Sequence, residues 1–484
     1  MIESQQSLPQ GWSQAEWDWV CALAQTRSDA ERSRLIKQHP EWVKIDFIQA
    51  RLQTLTEESP VEAQRLLMPA RGLVVIADHL RNPHLQGITR LHLALVLGNL
   101  YRYDEANPIL DRAESFLKQA RAQSDLGQLY CLRASFAFDL GDMPQTRRYL
   151  ERAYTLLQSV KQPYLLTRCE YLWAIYYRAV GAPEQGMPYL QRALTRTRKL
   201  GNPTAEAKIL LAMGILYRGM EQFEDALYAY EQALRIEKHP LERARLIANI
   251  GLVYWSMGLY PEARAHYAQA MPIFRETQSL RDVATCLMNS GLLLQAEGDI
   301  EGALSAYDEA LTLYRQIQDE YGVGFCELNR SSAFLQARQD QQALQSAQRA
   351  IAILARMQAD AELTICRVNQ ASALIRLGQL TQAQSIARQT LQQKSISEFS
   401  KIQLWYLLGE TQRKQKRFRE AEQSYARCLS VIEQFQSVQQ IPVEERALYL
   451  AKLRDVVAGM GAFWAQRQQF EKVFEVCQRG KGSA

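Results

Sequence analysis

A period of about 40 residues runs through most of this chain, within the range that is typical of stacked repeats. Gly214, Gly251 and Gly291 are each followed by an alanine at one fixed spacing and by a tyrosine at a second fixed spacing. These partners are Ala226, Ala263 and Ala303, and Tyr230, Tyr267 and Tyr307. A recurring pattern of this length predicts a stack of similar supersecondary units, each packing only on its neighbours. We therefore expect one elongated array without a separate catalytic domain.

Turn-forming residues recur at two points of each period, which predicts two helices per unit. Glycines fall where a first helix would end in a left-handed residue. They are Gly141, Gly181, Gly258, Gly298 and Gly378. Prolines fall between units, where a second helix must stop. They are Pro83, Pro163, Pro203 and Pro240.

The pattern resembles the tetratricopeptide repeat, a helix-turn-helix unit with a small residue at position 8 and an alanine at position 20. Position 8 is then Ala94, Ala134, Ala174, Gly214, Gly251, Gly291, Ser331, Ala371, Gly409 and Gly461. The last unit has a longer first helix, predicted over 444–465. The resemblance covers about four-fifths of the chain. It implies an all-α solenoid, a right-handed superhelix with a helical cap over 1–80 and about ten units over 81–484.

The N-terminal segment predicts shorter, less regular helices. Ser13 with Glu16 forms one expected capping box, and Ser59 with Glu62 forms another. Residues 59–80 are open to interpretation as a degenerate unit. Trp12, Trp17, Trp19 and Trp42 are open to two interpretations, a binding site or a cap that covers the end of the core.

The 40-residue period, longer than the usual unit of about 34 residues, resembles the repeats of the Pins/LGN adaptors and kinesin light chains. Those proteins bind peptides in an inner groove lined by positions 2, 5, 6, 9, 12 and 13 of each first helix. Position 6 here is Asn249, Asn289, Asn329 and Asn369 in four consecutive units. Asparagine amides offer donors and acceptors that suit the backbone of an extended peptide. The alternative is that the amides bond neighbouring helices or water.

The predicted groove changes chemistry along its length. Cations occupy positions 2 and 12 of the middle units, namely Arg168, Lys208, Arg245, Arg178 and Arg218. Apolar residues surround the asparagines in later units, namely Trp255, Met288, Phe325, Leu328 and Leu335. An exposed apolar floor would need a covering partner. We expect a protein or peptide ligand with an acidic part and an apolar part, or else solvated arginines and ordinary helix packing.

No catalytic, metal-binding or cofactor-binding constellation stands out. The six histidines show no ligand pairing, and Gly480-Lys481-Gly482-Ser483 lacks the order of a phosphate loop. Cys169, Cys286, Cys326 and Cys366 share position 3 of their units. Neighbouring helices lie too far apart for equivalent residues to form disulfides, so we expect buried, reduced thiols.

Charge and hydropathy set limits on the partners. A net charge of +5 on 484 residues is too diffuse to indicate a nucleic acid. The basic run from Arg413 to Arg419 fits a helix end favoured by the helix dipole. No leader or membrane-spanning segment is recognised, so a cytoplasmic protein is expected.

The final residues, 471–484, resemble the junction between a tetratricopeptide array and a CHAT domain, a caspase-like protease module. No residue of this sequence matches the His/Cys dyad of that family, so protease activity is not expected. The predicted function is a scaffold that binds a peptide or protein segment in signalling or regulation. The alternatives are the regulatory arm of a CHAT protease and the sensor arm of a transcriptional regulator.

Overall fold

The computed structural model describes residues 8–9, 11–54, 60–160, 162–357, 359–393, 396–434, 443–467 and 472, with backbone alone at 60–62, 433–434, 443–453 and 455. Throughout these ranges the regular secondary structure is helical. Contacts divide the chain into two compact units, unit 1 (Met1–Gly201) and unit 2 (Asn202–Ala484). The predicted boundary at residue 80 differs from this division, because the fourth helix packs on the fifth inside unit 1.

Unit 1 contains three short helices, one long helix and three helical hairpins. The short helices are α1 (Gln14–Gln25), α2 (Asp29–Gln38) and α3 (Ile45–Leu52), followed by α4 (Pro60–Leu80). The hairpins are α5 (Pro83–Asn99) with α6 (Tyr103–Gln119), α7 (Gln123–Asp139) with α8 (Met143–Ser159), and α9 (Pro163–Ala179) with α10 (Pro183–Lys199).

Unit 2 continues the same alternation through six hairpins and one further long helix. The hairpins are α11 (Pro203–Gly219) with α12 (Phe223–Ile236), α13 (Pro240–Ser256) with α14 (Tyr260–Glu276), α15 (Leu280–Glu297) with α16 (Ile300–Gln316), α17 (Glu320–Gln336) with α18 (Asp340–Arg356), α19 (Asp360–Arg376) with α20 (Leu380–Leu391), and α21 (Glu398–Lys414) with α22 (Phe418–Gln434). The last helix is α23 (Val443–Gln466). Its bounds confirm the long first helix predicted over 444–465.

The first helices end where the glycine spacing predicts. All five predicted glycines have positive φ, between +73° and +91°. The other units place Tyr101, Glu221, Arg338 and Lys416 at the same point, with φ between +58° and +62°. The turn geometry is therefore common to all nine hairpins, whereas the glycine is not. The four prolines between units begin the next first helix, where a missing N–H costs no hydrogen bond.

The helices of each hairpin pack closely through the small residues of the repeat. A Cβ atom added to Gly291 would lie 2.5 Å from Cε1 of Tyr307 on the second helix. Position 20, predicted to be small, is fully buried at Ala226, Ala263 and Ala303. The spacing of glycine, alanine and tyrosine in the sequence therefore reports a direct contact between a first helix and its second helix.

The N-terminal tryptophans pack onto the core of unit 1. The ring of Trp19 lies 5.3 Å from that of Trp42, and its Nε1 donates to the Leu35 carbonyl at 3.0 Å. Trp12 donates to Thr54 Oγ1 at 2.8 Å. These contacts support the interpretation of this segment as a cap. The capping box of Ser13 and Glu16 is confirmed, whereas Ser59 and, apart from residue 472, the junction predicted at 471–484 lie outside the described residues.

Candidate functional site

The asparagine face of unit 2 is the set of predicted groove residues on four successive first helices. It comprises Asn249 and Trp255 on α13, Asn289 on α15, Asn329, Phe325 and Leu335 on α17, and Asn369 on α19. Each of these helices contacts the next first helix in the chain. The repeat therefore brings residues far apart in sequence onto one surface of unit 2.

The four asparagines fall into two classes. Asn249 Nδ2 donates to the Arg245 carbonyl at 2.8 Å, and Asn369 Nδ2 donates to Ser331 Oγ at 2.8 Å. These two amides donate to groups of the protein itself. This agrees with the alternative that the asparagines bond the protein rather than a ligand. Asn329 is only 7% exposed, and its Nδ2 finds no hydrogen-bond acceptor among the described residues. Asn289 is half-buried and likewise bonds none of the described residues.

An unsatisfied buried amide has a measurable cost. Leaving such a donor without an acceptor costs about 1–3 kcal/mol. Trp255 Nε1, on α13, is also buried without an acceptor in the part of the chain that the structure describes. The asparagine face therefore has two N–H donors, Asn329 Nδ2 and Trp255 Nε1, that find no acceptor among the described residues.

The apolar residues of the predicted floor are divided between surface and core. Trp255, Phe325 and Leu335 are half-buried. Met288 and Leu328 are 9% and 5% exposed and belong to the hydrophobic core. The expectation of an exposed floor is wrong for these two residues, because position 5 turns toward the packed helices.

A polar network that the sequence did not reveal crosses from α15 to α17. Gln295 Oε1 accepts from the Tyr307 hydroxyl at 3.0 Å, and Gln295 Nε2 donates to Gln336 Oε1 at 3.1 Å. Gln295 occupies position 12, the same position as Trp255 and Leu335. The network ties both helices of one hairpin to the next first helix, which holds the asparagine face in place.

The predicted cations of unit 2 differ in their surroundings. Arg245 contacts Asp282 through Nη2 at 2.9 Å and Glu242 through Nη1 at 2.7 Å. Its charge is therefore already balanced, contrary to the prediction that it faces an acidic ligand. Lys208 is exposed and pairs with no described acidic residue. Arg218 is half-buried and acts electrostatically on Tyr267, whose pKa is raised by burial and lowered by this arginine.

The other two predicted cations, Arg168 and Arg178, belong to unit 1. Arg178 is exposed at the end of α9. Arg168 borders a shallow depression with Leu95, Gln128 and His92. The His92 ring nitrogen Nδ1 lies 2.8 Å from the Ile88 carbonyl, and burial lowers the pKa of this histidine. The depression therefore has an uncharged imidazole beside the guanidinium.

Two carboxylates that were not predicted to matter are fully buried. Glu170 on α9 pairs with Arg192 and Arg196, and Glu327 on α17 pairs with Arg315, Arg330 and Arg349. Both carboxylates occupy position 4 of a first helix and bind arginines of adjacent helices. The sequence contains one sign of these pairs. Position 4 is acidic in these two units, whereas it is apolar in three others, at Leu210, Ile247 and Leu287.

The thiols are buried at equivalent points, as predicted. Cys286 and Cys326 donate to the carbonyls of Tyr267 and Tyr307 on the preceding second helices, at 3.8 and 3.2 Å. Burial raises the pKa of Cys286, Cys326 and Cys366 to about 12. Thiols in this state are poor nucleophiles and poor metal ligands. Within the described ranges, no group of three or more His, Cys, Asp and Glu residues could hold a metal ion.

The described helices include none that combines the length and the apolar character needed to cross a membrane. The basic run at Arg413–Arg419 lies at the end of α21 and the start of α22, as predicted. Arg413 there binds Glu410 through Nη2 at 2.7 Å, and Lys414 Nζ donates to the Ile375 carbonyl at 3.2 Å. These cations thus balance a carboxylate and a helix terminus.

Family models of the tetratricopeptide repeat match parts of this chain. A model of the tetratricopeptide repeat matches residues 167–238 and 242–316, and a second such model matches 402–435. The first match starts at Thr167, which is position 1 of the unit that contains Ala174. No curated protein sequence matches the chain.

Three solved structures are similar over most of this chain. A Rap protein complexed with competence and sporulation factor has 13% identity and a TM-score of 0.48, over 73% of this chain and 96% of that chain. The apo form of the quorum sensor NprR from B. thuringiensis has 15% identity and a TM-score of 0.48, over 70% and 97%. A signal-transduction ATPase with a tetratricopeptide repeat sensor from Pyrococcus horikoshii has 16% identity and a TM-score of 0.46, over 67% and 50%.

The family-model matches fall on residues where the helix pairs repeat with a small residue at position 8. The chain is a tetratricopeptide-repeat protein.

Proposed function

We propose that this protein is an interaction scaffold whose asparagine face binds an extended peptide segment of a partner protein. Tetratricopeptide arrays are scaffolds for protein interaction, and this chain has that architecture. The observation that carries the finer proposal is the buried Asn329 Nδ2, which has no acceptor among the described residues. A backbone carbonyl of a bound segment would accept from it.

The neighbouring groups suit the same ligand. Asn289 lies one unit before Asn329 and can offer both a donor and an acceptor to the next peptide group. Half-buried Trp255 and Phe325 provide apolar contact on either side. An extended strand presents its carbonyls and side chains alternately, so amides and apolar surfaces can both be used.

The charge of the partner segment follows from Lys208 rather than from Arg245. Lys208 on α11 is exposed and unbalanced by a described carboxylate, whereas Arg245 on α13 is bound to Asp282 and Glu242. We expect an acidic residue of the segment to approach Lys208. Association should then slow in Lys208→Glu and become less sensitive to salt, because the steering charge is reversed.

Selection of short random peptides against the full chain tests the proposal. Binders should protect backbone amides of α13, α15 and α17 from hydrogen exchange, and N-methylation of the peptide backbone should weaken them. Peptides that protect only other helices, or that tolerate N-methylation throughout, would refute the asparagine face as a backbone-binding surface.

A further inference from the structure

The positive charge of the chain is concentrated in unit 1. Residues 143–199 contain ten Lys and Arg residues and three Asp and Glu residues, a net charge of +7, whereas the whole chain carries +5. Eight of the ten cations are arginines. The modest total charge, from which no nucleic-acid partner is expected, therefore conceals a strongly basic segment.

Five of these cations, together with Arg112 from the preceding hairpin, form a basic face on the second helices of unit 1. The basic face consists of exposed Arg112 on α6, Arg148 and Arg152 on α8, and Arg192, Arg198 and Lys199 on α10. Arg112, Arg152 and Arg192 follow one another at the period of the repeat, so each hairpin contributes one arginine at the same repeat position. Helices α8 and α10 are neighbours, since the rings of Tyr154 and Tyr189 lie 5.8 Å apart.

Acidic residues balance part of this charge. Glu151 pairs with Arg147, Asp111 pairs with Arg133, and the buried Glu170 pairs with Arg192. By contrast, Arg112, Arg148 and Lys199 form no ion pair with the residues that the structure describes. A helix-dipole role explains Lys199 in the last turn of α10. It does not explain Arg112, Arg148 and Arg152, which lie in the middle of their helices.

Aromatic rings hold two of the arginines in place. The Arg152 guanidinium lies 5.7 Å from the centroid of Tyr130, and the Arg192 guanidinium lies 4.6 Å from that of Tyr189. Stacking of this kind restricts the guanidinium and leaves its edge free for bidentate contacts with an oxyanion. The basic face thus offers oriented donors at a regular interval.

We propose that the basic face binds the phosphate backbone of a nucleic acid. Arginine forks match phosphate oxygens, and clustered arginines on one face are the usual footprint of a polyanion. Exposed Thr155, Gln191 and Thr195 lie between the cations and can donate further hydrogen bonds to phosphates. None of the exposed large apolar residues lies on the described α6, α8 or α10, so this face has nothing to insert into a bilayer.

Unit 2 provides an internal comparison. The repeat position of Arg112, Arg152 and Arg192 is Gln232, Gln269, Glu309 and Gln389 in four hairpins of unit 2, and it is arginine in the other two, at Arg349 and Arg427. Glutamine is therefore compatible with this position of the fold. Exposed second-helix arginines that form no ion pair with the described residues do occur in unit 2, at Arg235, Arg419 and Arg427, but of these only Arg427 shares that repeat position.

The test is the binding of a fluorescein-labelled, mixed-sequence 20-nucleotide single-stranded DNA to the full chain, measured by anisotropy at 50 and 200 mM NaCl. With about four phosphate contacts, affinity should fall roughly 50-fold over this range. The triple variant Arg112→Gln, Arg148→Gln, Lys199→Gln should bind at least about tenfold more weakly at 50 mM and show a flatter salt dependence, since it loses about three contacts.

The matched control is Arg235→Gln, Arg419→Gln, Arg427→Gln, which removes the same charge from unit 2 and should bind within about twofold of wild type. Thermal melting of both variants checks the fold. The proposal fails if wild type does not bind the DNA at 50 mM NaCl, or if both triple variants lose affinity equally. Displacement of the DNA by an equimolar polyglutamate of the same length would overturn it in favour of an acidic protein partner.

Discussion

Gly214 and Tyr230 are in direct contact, and a Cβ atom at Gly214 would lie 2.6 Å from Cζ of the tyrosine ring. The same pair recurs as Gly251 with Tyr267, Gly291 with Tyr307 and Gly409 with Tyr425. The missing side chain on the first helix is the space that the aromatic ring of the second helix fills. This contact fixes the separation of the two helices in each of these hairpins.

Replacement of Gly214 by alanine should destabilise the protein. Overpacking of this kind costs about 1–3 kcal/mol, which exceeds the gain of about 1 kcal/mol from higher helix propensity. Gly219 in the same helix has no neighbour within 4 Å of an added Cβ. Gly219→Ala should therefore stabilise. Urea denaturation measures the free energy of unfolding of both variants. Equal changes in the same direction would contradict the close contact of Gly214 with Tyr230.

Left-handed residues at the ends of first helices give a second prediction. Lys416 and Arg338 have φ of +62° and +60°, a conformation that costs a non-glycine residue about 1 kcal/mol. Lys416→Gly and Arg338→Gly should each raise stability by up to about 1 kcal/mol, while Gly258→Ala should lower it. A lower melting temperature for both glycine variants would mean that these side chains make stabilising contacts.

The buried carboxylate of Glu327 should be essential for stability. It binds Arg330 Nη1 at 3.0 Å and Arg349 Nη1 at 3.2 Å and is 0% exposed. Glu327→Gln takes a counter-charge from the exposed Arg349 and from the part-buried Arg330, which keeps Asp308 at 2.8 Å, so the substitution should cost about 1.5–3 kcal/mol. Glu320→Gln on the same helix breaks an exposed pair with Arg356 and should cost no more than about 1 kcal/mol. Chemical denaturation measures the free energy of unfolding of both variants. An equal loss in Glu327→Gln and Glu320→Gln would contradict the larger contribution of the buried carboxylate.

The buried thiols predict a loss of stability at high pH. Burial raises the pKa of Cys286, Cys326 and Cys366 from 9.0 to about 12, so the unfolded chain loses these protons first. Stability is then full below pH 9 and decreases as pH rises from 9 toward 12. The free energy of unfolding at pH 8 and pH 10, for wild type and Cys326→Ala, measures the effect. A pH dependence that Cys326→Ala leaves unchanged would assign it to other groups, such as the buried tyrosines.

Reaction rates of the same thiols provide an independent check. In the native protein all three should react slowly with a thiol reagent, and each should react quickly in denaturant. Rapid labelling of the native chain at neutral pH would contradict their burial.

The repeat, the helix ends and the buried cysteines were predictable because each depends on one residue type at a fixed interval. Glycine spacing located five turns, and the period supplied the rest. The buried pairs of Glu170 and Glu327 were not predicted, although each carboxylate lies 22 residues before an arginine that it binds, Arg192 and Arg349, because a spacing that occurs in only two units does not identify an ion pair. Sequence also could not separate Asn369 from Asn329. The Asn369 amide donates to Ser331, whereas the Asn329 amide has no acceptor among the described residues. This difference depends on how neighbouring helices are rotated.

The asparagine face is tested most directly by alanine substitution of Asn289 and Asn329 together, with Asn369→Ala as the control. The double variant removes an unsatisfied buried amide and introduces a better helix former, so its melting temperature should stay equal or rise. Its affinity for library-selected peptides should fall by about 1–3 kcal/mol. Asn369→Ala, which loses the bond to Ser331 Oγ, should instead melt earlier. Unchanged peptide affinity in the double variant, together with a lower melting temperature, would contradict the proposed peptide-binding face.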